Sequence, residues 1–233
     1  MKQALMTGLP GLGLALTETQ VEILCAFGQA LLQKNEVMNL TAITEPQSVA
    51  RLHFLDCLAL LKLWDFSQKS VIDVGCGAGF PGVPLKIGEP SLQLTLLDSL
   101  NKRITWLSQV LPTLQVDADC VSARAEEYAA DHRESYDIAV SRAVARLNML
   151  SELCLPLVRV GGAFIAMKST DCDEEISQAA HGIELLGGKL LRIEDYGIPG
   201  TDTVHRAVII QKVRKTPAQY PRRFSKIKQA PLL

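Results

Sequence analysis

Two hydrophobic periods divide this chain. Apolar side chains first recur at helical spacing, at Val21, Leu24, Phe27 and Leu31. Thr17-Glu18-Thr19-Gln20 precedes them as a capping box. This helix is predicted to end near Lys34-Asn35, and Asn39-Leu40-Thr41 reads as a polar break. Thr44-Glu45-Pro46-Gln47 is a second capping box, with proline in the first turn, where its missing N–H costs little. The helix it opens runs to about Leu63 and carries His53 and Asp56 on one face, where they read as a structural pair within the helical subdomain. Residues 1–65 are therefore expected to form a helical N-terminal subdomain. The start of the chain is mildly apolar but is broken by Gly8, Pro10, Gly11 and Gly13, and it does not read as a secretory signal.

From Ser70 the period shortens. Apolar runs at 70–74, 92–97, 115–122, 136–141, 162–168, 190–196 and 206–213 read as strands. Helices are predicted over 83–87, 102–111, 147–158 and 173–186. This alternation specifies an α/β fold with a doubly wound, mostly parallel, seven-stranded sheet. The last two strands are joined through Pro199-Gly200-Thr201-Asp202 without a crossover helix, which makes one strand antiparallel. The α/β domain is expected over 66–213, followed by a basic tail over 214–233.

Composition adds four points. With 233 residues, 48% of them hydrophobic, the chain can bury one sizeable core. No apolar run reaches the roughly eighteen residues of a membrane span, so no membrane partner is expected. The six cysteines are scattered without metal-ligand spacing, and they read as thiols in a reducing cytoplasm with no metal site. The formal charge of −1 hides an asymmetry: no acidic residue follows Asp202, and eight basic residues do. The first 205 residues carry 16 basic against 25 acidic side chains. A basic end on an acidic body points to a polyanionic partner, and Tyr220 and Phe224 within it favour contact over a merely solvated tail.

The chemistry gathers where the strands end, because ligands in such sheets sit outside the carboxyl ends. The first strand runs into Asp73-Val74-Gly75-Cys76-Gly77-Ala78-Gly79-Phe80-Pro81-Gly82. These glycines satisfy a dinucleotide pattern literally and are shared with methyl-donor folds. Asp73 discriminates. A carboxylate facing this crevice would repel a pyrophosphate but suits S-adenosylmethionine, whose amino group and sulfur are cationic. Asp98 ends the second strand and can accept from both ribose hydroxyls of either cofactor, or serve as a turn residue. Ala125 and Glu126 follow the third strand, where an adenine meets backbone; Glu126 also suits a helix first turn. Ser141-Arg142-Ala143 follows the fourth, and Arg142 is the candidate for positioning an anionic substrate or for a surface ion pair. The chain lacks the Asp/Asn-Pro-Pro-aromatic turn of amino-nitrogen methyltransferases. Cys120 and Cys154 are poorly placed for a covalent nucleophile. An acceptor such as guanine N7, which has no proton to lose, fits without a general base.

The combination of Asn39-Leu40-Thr41, His53-Phe54-Leu55-Asp56, the Asp73 to Gly82 loop, Leu97-Asp98-Ser99 with Lys102-Arg103, Arg124-Ala125-Glu126, Ser141-Arg142-Ala143 and Met167-Lys168 resembles the bacterial glucose-inhibited division protein B family, the 16S rRNA guanine-N7 methyltransferases. The resemblance implies a class I methyltransferase fold and S-adenosyl-L-methionine as cofactor. It also implies 16S rRNA or the small ribosomal subunit as partner, in the cytoplasm; a monomer is expected. It carries cofactor contacts to Gly75, Phe80, Ala125, Glu126 and Arg142, with Gly77 and Asp98 nearby. For His53 and Asp56 a face toward cofactor or RNA is the alternative to the structural pair. Ser169, Ser225 and Ile227 depart from the family pattern on the substrate side. A small-molecule methyltransferase, and a NAD-dependent oxidoreductase or non-catalytic nucleotide-binding module, are the competing readings.

Overall fold

A computed structural model describes residues 1–142 and 144–233; Ala143, named above after Arg142, lies outside the described residues. Among them, β1 (Ser70–Val74), β2 (Gln93–Asp98), β3 (Asp119–Ser122), β4 (Tyr136–Arg142), β5 (Val158–Ser169), β6 (Gly188–Gly197) and β7 (Val204–Lys212) form one sheet in the order β3-β2-β1-β4-β5-β7-β6. The β1–β2, β1–β4, β2–β3 and β4–β5 pairs are parallel. Only β7 runs against its neighbours, between β5 and β6. The chain order reverses between β1 and β4, so a crevice opens at their carboxyl ends.

Period-two alternation sends successive strand residues to opposite faces. Val71, Leu94, Leu96, Ile138, Val140, Ile165 and Ile209 face one core. The helices α1 (Lys2–Gly11), α2 (Glu18–Met38), α3 (Pro46–Val49), α4 (Asp56–Leu58), α5 (Leu60–Leu63), α6 (Gly82–Gly88) and α7 (Asn101–Thr113) close it, with a π-helical turn at Ala50–Leu55. Ile72, Val74, Ala139, Phe164, Ala166, Val208 and Ile210 face the other core. That side is covered by α8 (Ala125–Tyr128), α9 (Leu147–Cys154), α10 (Asp173–Leu185) and α11 (Phe224–Gln229). The N-terminal helices and the first face of the sheet therefore share one core. Its aromatic centre is Phe27, whose ring lies 6.1 Å from Phe54 and 6.0 Å from both Phe80 and Trp106.

Several boundaries differ from the sequence pattern for local reasons. The Thr17 capping box forms, with Gln20 N–H donating to Thr17 Oγ1 at 3.2 Å and Thr17 N–H to Gln20 Oε1 at 2.8 Å. The second box does not. Pro46 takes the first helical position, so Glu45 becomes the cap and accepts from the N–H groups of Gln47 and Ser48. α2 continues to Met38 because Asn39, which tolerates the left-handed region, closes it at φ 50°. α1 forms despite Gly8 and Pro10: Leu5 and Leu9 are buried and the helix packs on the Ala50–Leu55 turn. β3 starts only at Asp119, after Gln115 turns the chain at φ 57°. α9 stops at Cys154 in a short 3-10 turn holding Pro156, which cannot donate to continue the helix.

The basic tail is folded onto the body. Arg222 donates to both carboxylate oxygens of the fully buried Glu152 on α9, at 2.8 and 2.6 Å. Arg133 donates to the carbonyls of Thr216, Pro217 and Tyr220. Ile227 of α11 is buried in the second core. Removing one member of a buried pair strands the other charge at about 3 kcal/mol or more. Arg222→Ala is accordingly expected to lower the urea midpoint clearly and to expose the tail to limited proteolysis before the rest of the chain.

Candidate functional site

The loop after β1 is held by its own backbone and by two carboxylates. Gly75 and Gly77 take φ of 73° and 58°, a region that side chains disfavour. The N–H groups of Gly75 and Cys76 donate to Leu97 O at 2.7 and 3.1 Å, tying the loop to the end of β2. Asp98 follows directly. Its Oδ2 accepts from Gly77 N–H at 2.9 Å and its Oδ1 from Leu100 N–H at 2.8 Å, with Arg103 Nη1 3.5 Å from Oδ2. One nearly buried carboxylate thus fixes both loops, and each of its oxygens keeps further acceptor capacity.

Asp73 is placed differently from the sequence reading, in which its carboxylate faces the crevice. It is fully buried beneath the loop, where Oδ2 accepts from Gly82 N–H at 2.7 Å. A Cβ on Gly82 would stand 2.9 Å from that oxygen and 2.8 Å from Leu96 Cδ2, so glycine is what allows the approach. The first turn of α6, where a pyrophosphate would sit in a dinucleotide fold, is occupied by the protein's own carboxylate. Among the described residues the other oxygen of Asp73 has no hydrogen-bond partner, and burial raises the carboxyl to about 7.

A cavity of about 440 Å³ opens at the crevice between β1 and β4. Of the residues singled out in the sequence, Gly75, Gly77, Phe80, Asp98, Ala125, Glu126 and Arg142 all line it, and Asp73 does not. Arg142 is no surface residue: its side chain is 16% exposed and its partner Asp56 is fully buried. Nη1 donates to Asp56 Oδ2 at 3.0 Å and to Leu52 O at 3.3 Å, and Nη2 lies 3.0 Å from His53 Nδ1. The guanidinium sits 4.8 Å over the Phe80 ring, and His53 stacks on the same ring at 4.5 Å. The π-helical turn delivers Leu52 and His53 to this cluster, with Asp56 just beyond it; such turns recur at functional sites. Asp56 Oδ1 also accepts from Tyr196 Oη at 3.0 Å and from His205 Nδ1 at 2.8 Å, which bonds the helical segment to β6 and β7. The hydrogen bond to Asp56 raises His205, whereas burial and then the Arg142 charge lower His53 to about 4.

Thr41, His53, Arg103 and Phe224 also line the cavity, without having been assigned to the cofactor site from the sequence. For His53 the signal was its spacing to Asp56; for Phe224 it was an aromatic within an acid-free tail. Arg124 extends over the Phe224 ring at 5.2 Å. Neither the imidazole nor the thiol of the wall is free to react. His53 has both ring nitrogens engaged, and burial pushes the Cys76 thiol well up. Among the described residues no cluster of His, Cys, Asp or Glu could hold a metal ion, and no helix is long and apolar enough to cross a membrane. The wall thus offers a close backbone approach at Gly77 and a carboxylate acceptor at Asp98, while the first turn of α6 bonds a carboxylate of the protein itself.

A sequence family described as rRNA small subunit methyltransferase G matches residues 20–201. The ribosomal RNA small subunit methyltransferase G of Alkaliphilus metalliredigens (strain QYMF) is 46% identical over 226 residues, 95% of this chain and 95% of that protein. Its counterpart from Clostridium botulinum (strain Loch Maree / Type A3) is 49% identical over 202 residues, 85% of this chain and 84% of that protein. Among solved structures, M. jannaschii TYW2 in complex with AdoMet is similar with a TM-score of 0.53 at 12% identity, over 68% of this chain and 77% of that one. TrmN from Thermus thermophilus is similar with a TM-score of 0.53 at 18% identity, over 67% of this chain and 48% of that one. At these identities the structural likeness is one of fold.

The buried Asp73 carboxyl has a consequence for stability. Raised above its unfolded value, it contributes fully below the unfolded pKa, and the contribution is lost as pH rises to about 7. Asp73→Asn keeps an acceptor for Gly82 N–H and cannot ionise. Between pH 5 and pH 8 the native protein is expected to lose roughly 2–3 kcal/mol more unfolding free energy than this variant. Urea titrations of both proteins at the two pH values measure the difference.

Proposed function

The chain belongs to the rRNA small subunit methyltransferase G family, and from that premise we propose that it transfers a methyl group from S-adenosyl-L-methionine to N7 of a guanine in 16S rRNA. The observation that carries this reading is the single cavity that gathers the glycine loop, Asp98, Ala125-Glu126 and Arg142 while Asp73 fills the first turn of α6. That filled turn disfavours a dinucleotide, and with it the oxidoreductase alternative.

S-adenosyl-L-methionine, when bound, supplies an electrophilic methyl on a positively charged sulfur. In this reading Asp98 accepts from the ribose hydroxyls, the Ala125-Glu126 corner meets the adenine, and Gly75, Gly77, Phe80 and Arg142 hold the methionine end. Arg142 is held by Asp56, Leu52 O and His53 through three of its five N–H groups, so its remaining donors can serve a carboxylate. Guanine N7 presents a lone pair and bears no proton, so the transfer asks for no general base. What the protein contributes is placement and exclusion of water.

The RNA side includes the tail. Phe224 places the start of α11 at the cavity wall, and Arg223, Lys226 and Lys228 are exposed beside it. Those charges suit phosphates, whose contacts give sequence-independent affinity. A ribosomal substrate also implies a cytoplasmic location.

Methylation of deproteinised 16S rRNA and of assembled small subunits with labelled donor tests the reading. Label at guanine N7 in either is expected; no label in both, with donor binding intact, would overturn it. Asp98→Ala is expected to weaken S-adenosyl-L-methionine binding at least tenfold by calorimetry, since it removes the ribose acceptor and unties two loops. Lys226→Glu with Lys228→Glu is expected to raise KM for rRNA several-fold and to flatten its dependence on salt, with cofactor affinity unchanged.

A further inference from the structure

Thr41 sits in the connection between α2 and α3, and Asn35 pins it there. Asn35 Oδ1 accepts from the N–H groups of Leu40 and Thr41 at 2.6 and 2.8 Å, and Asn35 Nδ2 donates to Thr41 O at 2.9 Å. Thr41 lines the cavity, and its Oγ1 accepts from Ile43 N–H at 3.0 Å. The same oxygen lies 2.8 Å from His53 Nε2. The direction of that bond is decided at the far side of the imidazole. Arg142 Nη2 is 3.0 Å from Nδ1, and a guanidinium can only donate. Nδ1 therefore carries the lone pair and Nε2 the proton, which is donated to Thr41. Burial keeps the ring neutral, in agreement with this tautomer.

The Thr41 oxygen thus spends both lone pairs on His53 and Ile43. Its own proton remains, and among the described residues no acceptor takes it. A hydroxyl locked in this way is a hydrogen-bond donor of fixed direction at the cavity wall.

We propose that Thr41 donates this proton to O6 of the target guanine and so sets the N7 edge for methyl transfer. The assignment rests on the guanine-N7 reading above. On the purine edge used here, N7 and O6 are adjacent acceptors. N7 must keep its lone pair for the methyl, so O6 is the atom a donor can hold. A neutral donor is suited to the task. The purine becomes cationic as the N7–C bond forms, and a guanidinium at O6 would oppose that charge. Arg142 acts one step back: it orients His53, His53 orients Thr41, and the charge stays away from the base.

The test compares Thr41→Val and Thr41→Ser with the native protein, reading kcat/KM on 16S rRNA and cofactor affinity by calorimetry. Valine is expected to cost 10- to 100-fold in kcat/KM with cofactor affinity within twofold of native. Serine, which keeps the hydroxyl, is expected to stay within threefold. Thr41→Ala removes the hydroxyl without adding bulk and gives the same reading should valine disturb the loop. Native kcat/KM in the valine and alanine variants overturns the proposal. So does a cofactor affinity that falls in step with activity, which would place the hydroxyl against the methyl donor, or a serine variant as impaired as valine. Failure of the native protein to methylate rRNA would instead refute the functional reading itself.

Discussion

The site depends on one buried charge. Arg142 ends β4 at the switch point of the sheet, and the low-dielectric surroundings there would make an unpaired guanidinium very costly. Asp56, fully buried on the helical segment, neutralises it, while His53, Leu52 O and the Phe80 ring take up other parts of the guanidinium. Asp56 is held in turn by Tyr196 and His205 from the last two strands. The N-terminal helices are thus more than a cover for one face of the sheet. They bring the counter-charge without which β4 could not carry an arginine at its end, and the widened turn at Ala50–Leu55 lets neighbouring residues reach the same guanidinium.

Two other carboxylates divide the remaining work, and their surroundings decide how. Asp98 keeps one edge at the cavity while bonding Gly77 and Leu100, so it stiffens both loops and stays available to a ligand. Asp73, two residues before the first glycine, is sealed beneath the loop and bonds Gly82. It occupies a helix terminus, where the sequence reading had its carboxylate point into the crevice. Phe80 joins this loop to the N-terminal helices through Phe27 and Phe54, so the cavity loop and the helices share one aromatic core.

The C-terminal residues follow the same logic of buried charge. Glu152 lies in the second core and is matched bidentately by Arg222, which commits the chain on either side of it. Tyr220 to Ile227 is thereby packed on α9, Phe224 reaches the cavity, and Lys226 and Lys228 of α11 stay exposed. The excess of positive charge visible in the sequence becomes a positioned surface, because two of its members, Arg222 and Lys212, are spent inside the fold.

Much of this was legible in the residues alone. Alternating apolar runs separated by helical periods specify a doubly wound sheet, and the Pro199 to Asp202 hairpin specifies its antiparallel strand, because both follow from local periodicity and turn chemistry. The position of Gly75, Gly77, Asp98, Ala125-Glu126 and Arg142 at strand ends placed them in one crevice for the same reason. Direction and pairing were not legible. Nothing local to Asp73 says that its carboxylate turns under the loop, nothing near Arg142 says that its partner lies 86 residues earlier in the chain, and nothing in Asn39-Leu40-Thr41 says which groups the Thr41 hydroxyl bonds. Periodicity determines which face a residue takes; the hydrogen-bond partners that set its chemistry are chosen only when distant segments pack, since a buried polar group must be satisfied by whatever tertiary structure brings within reach.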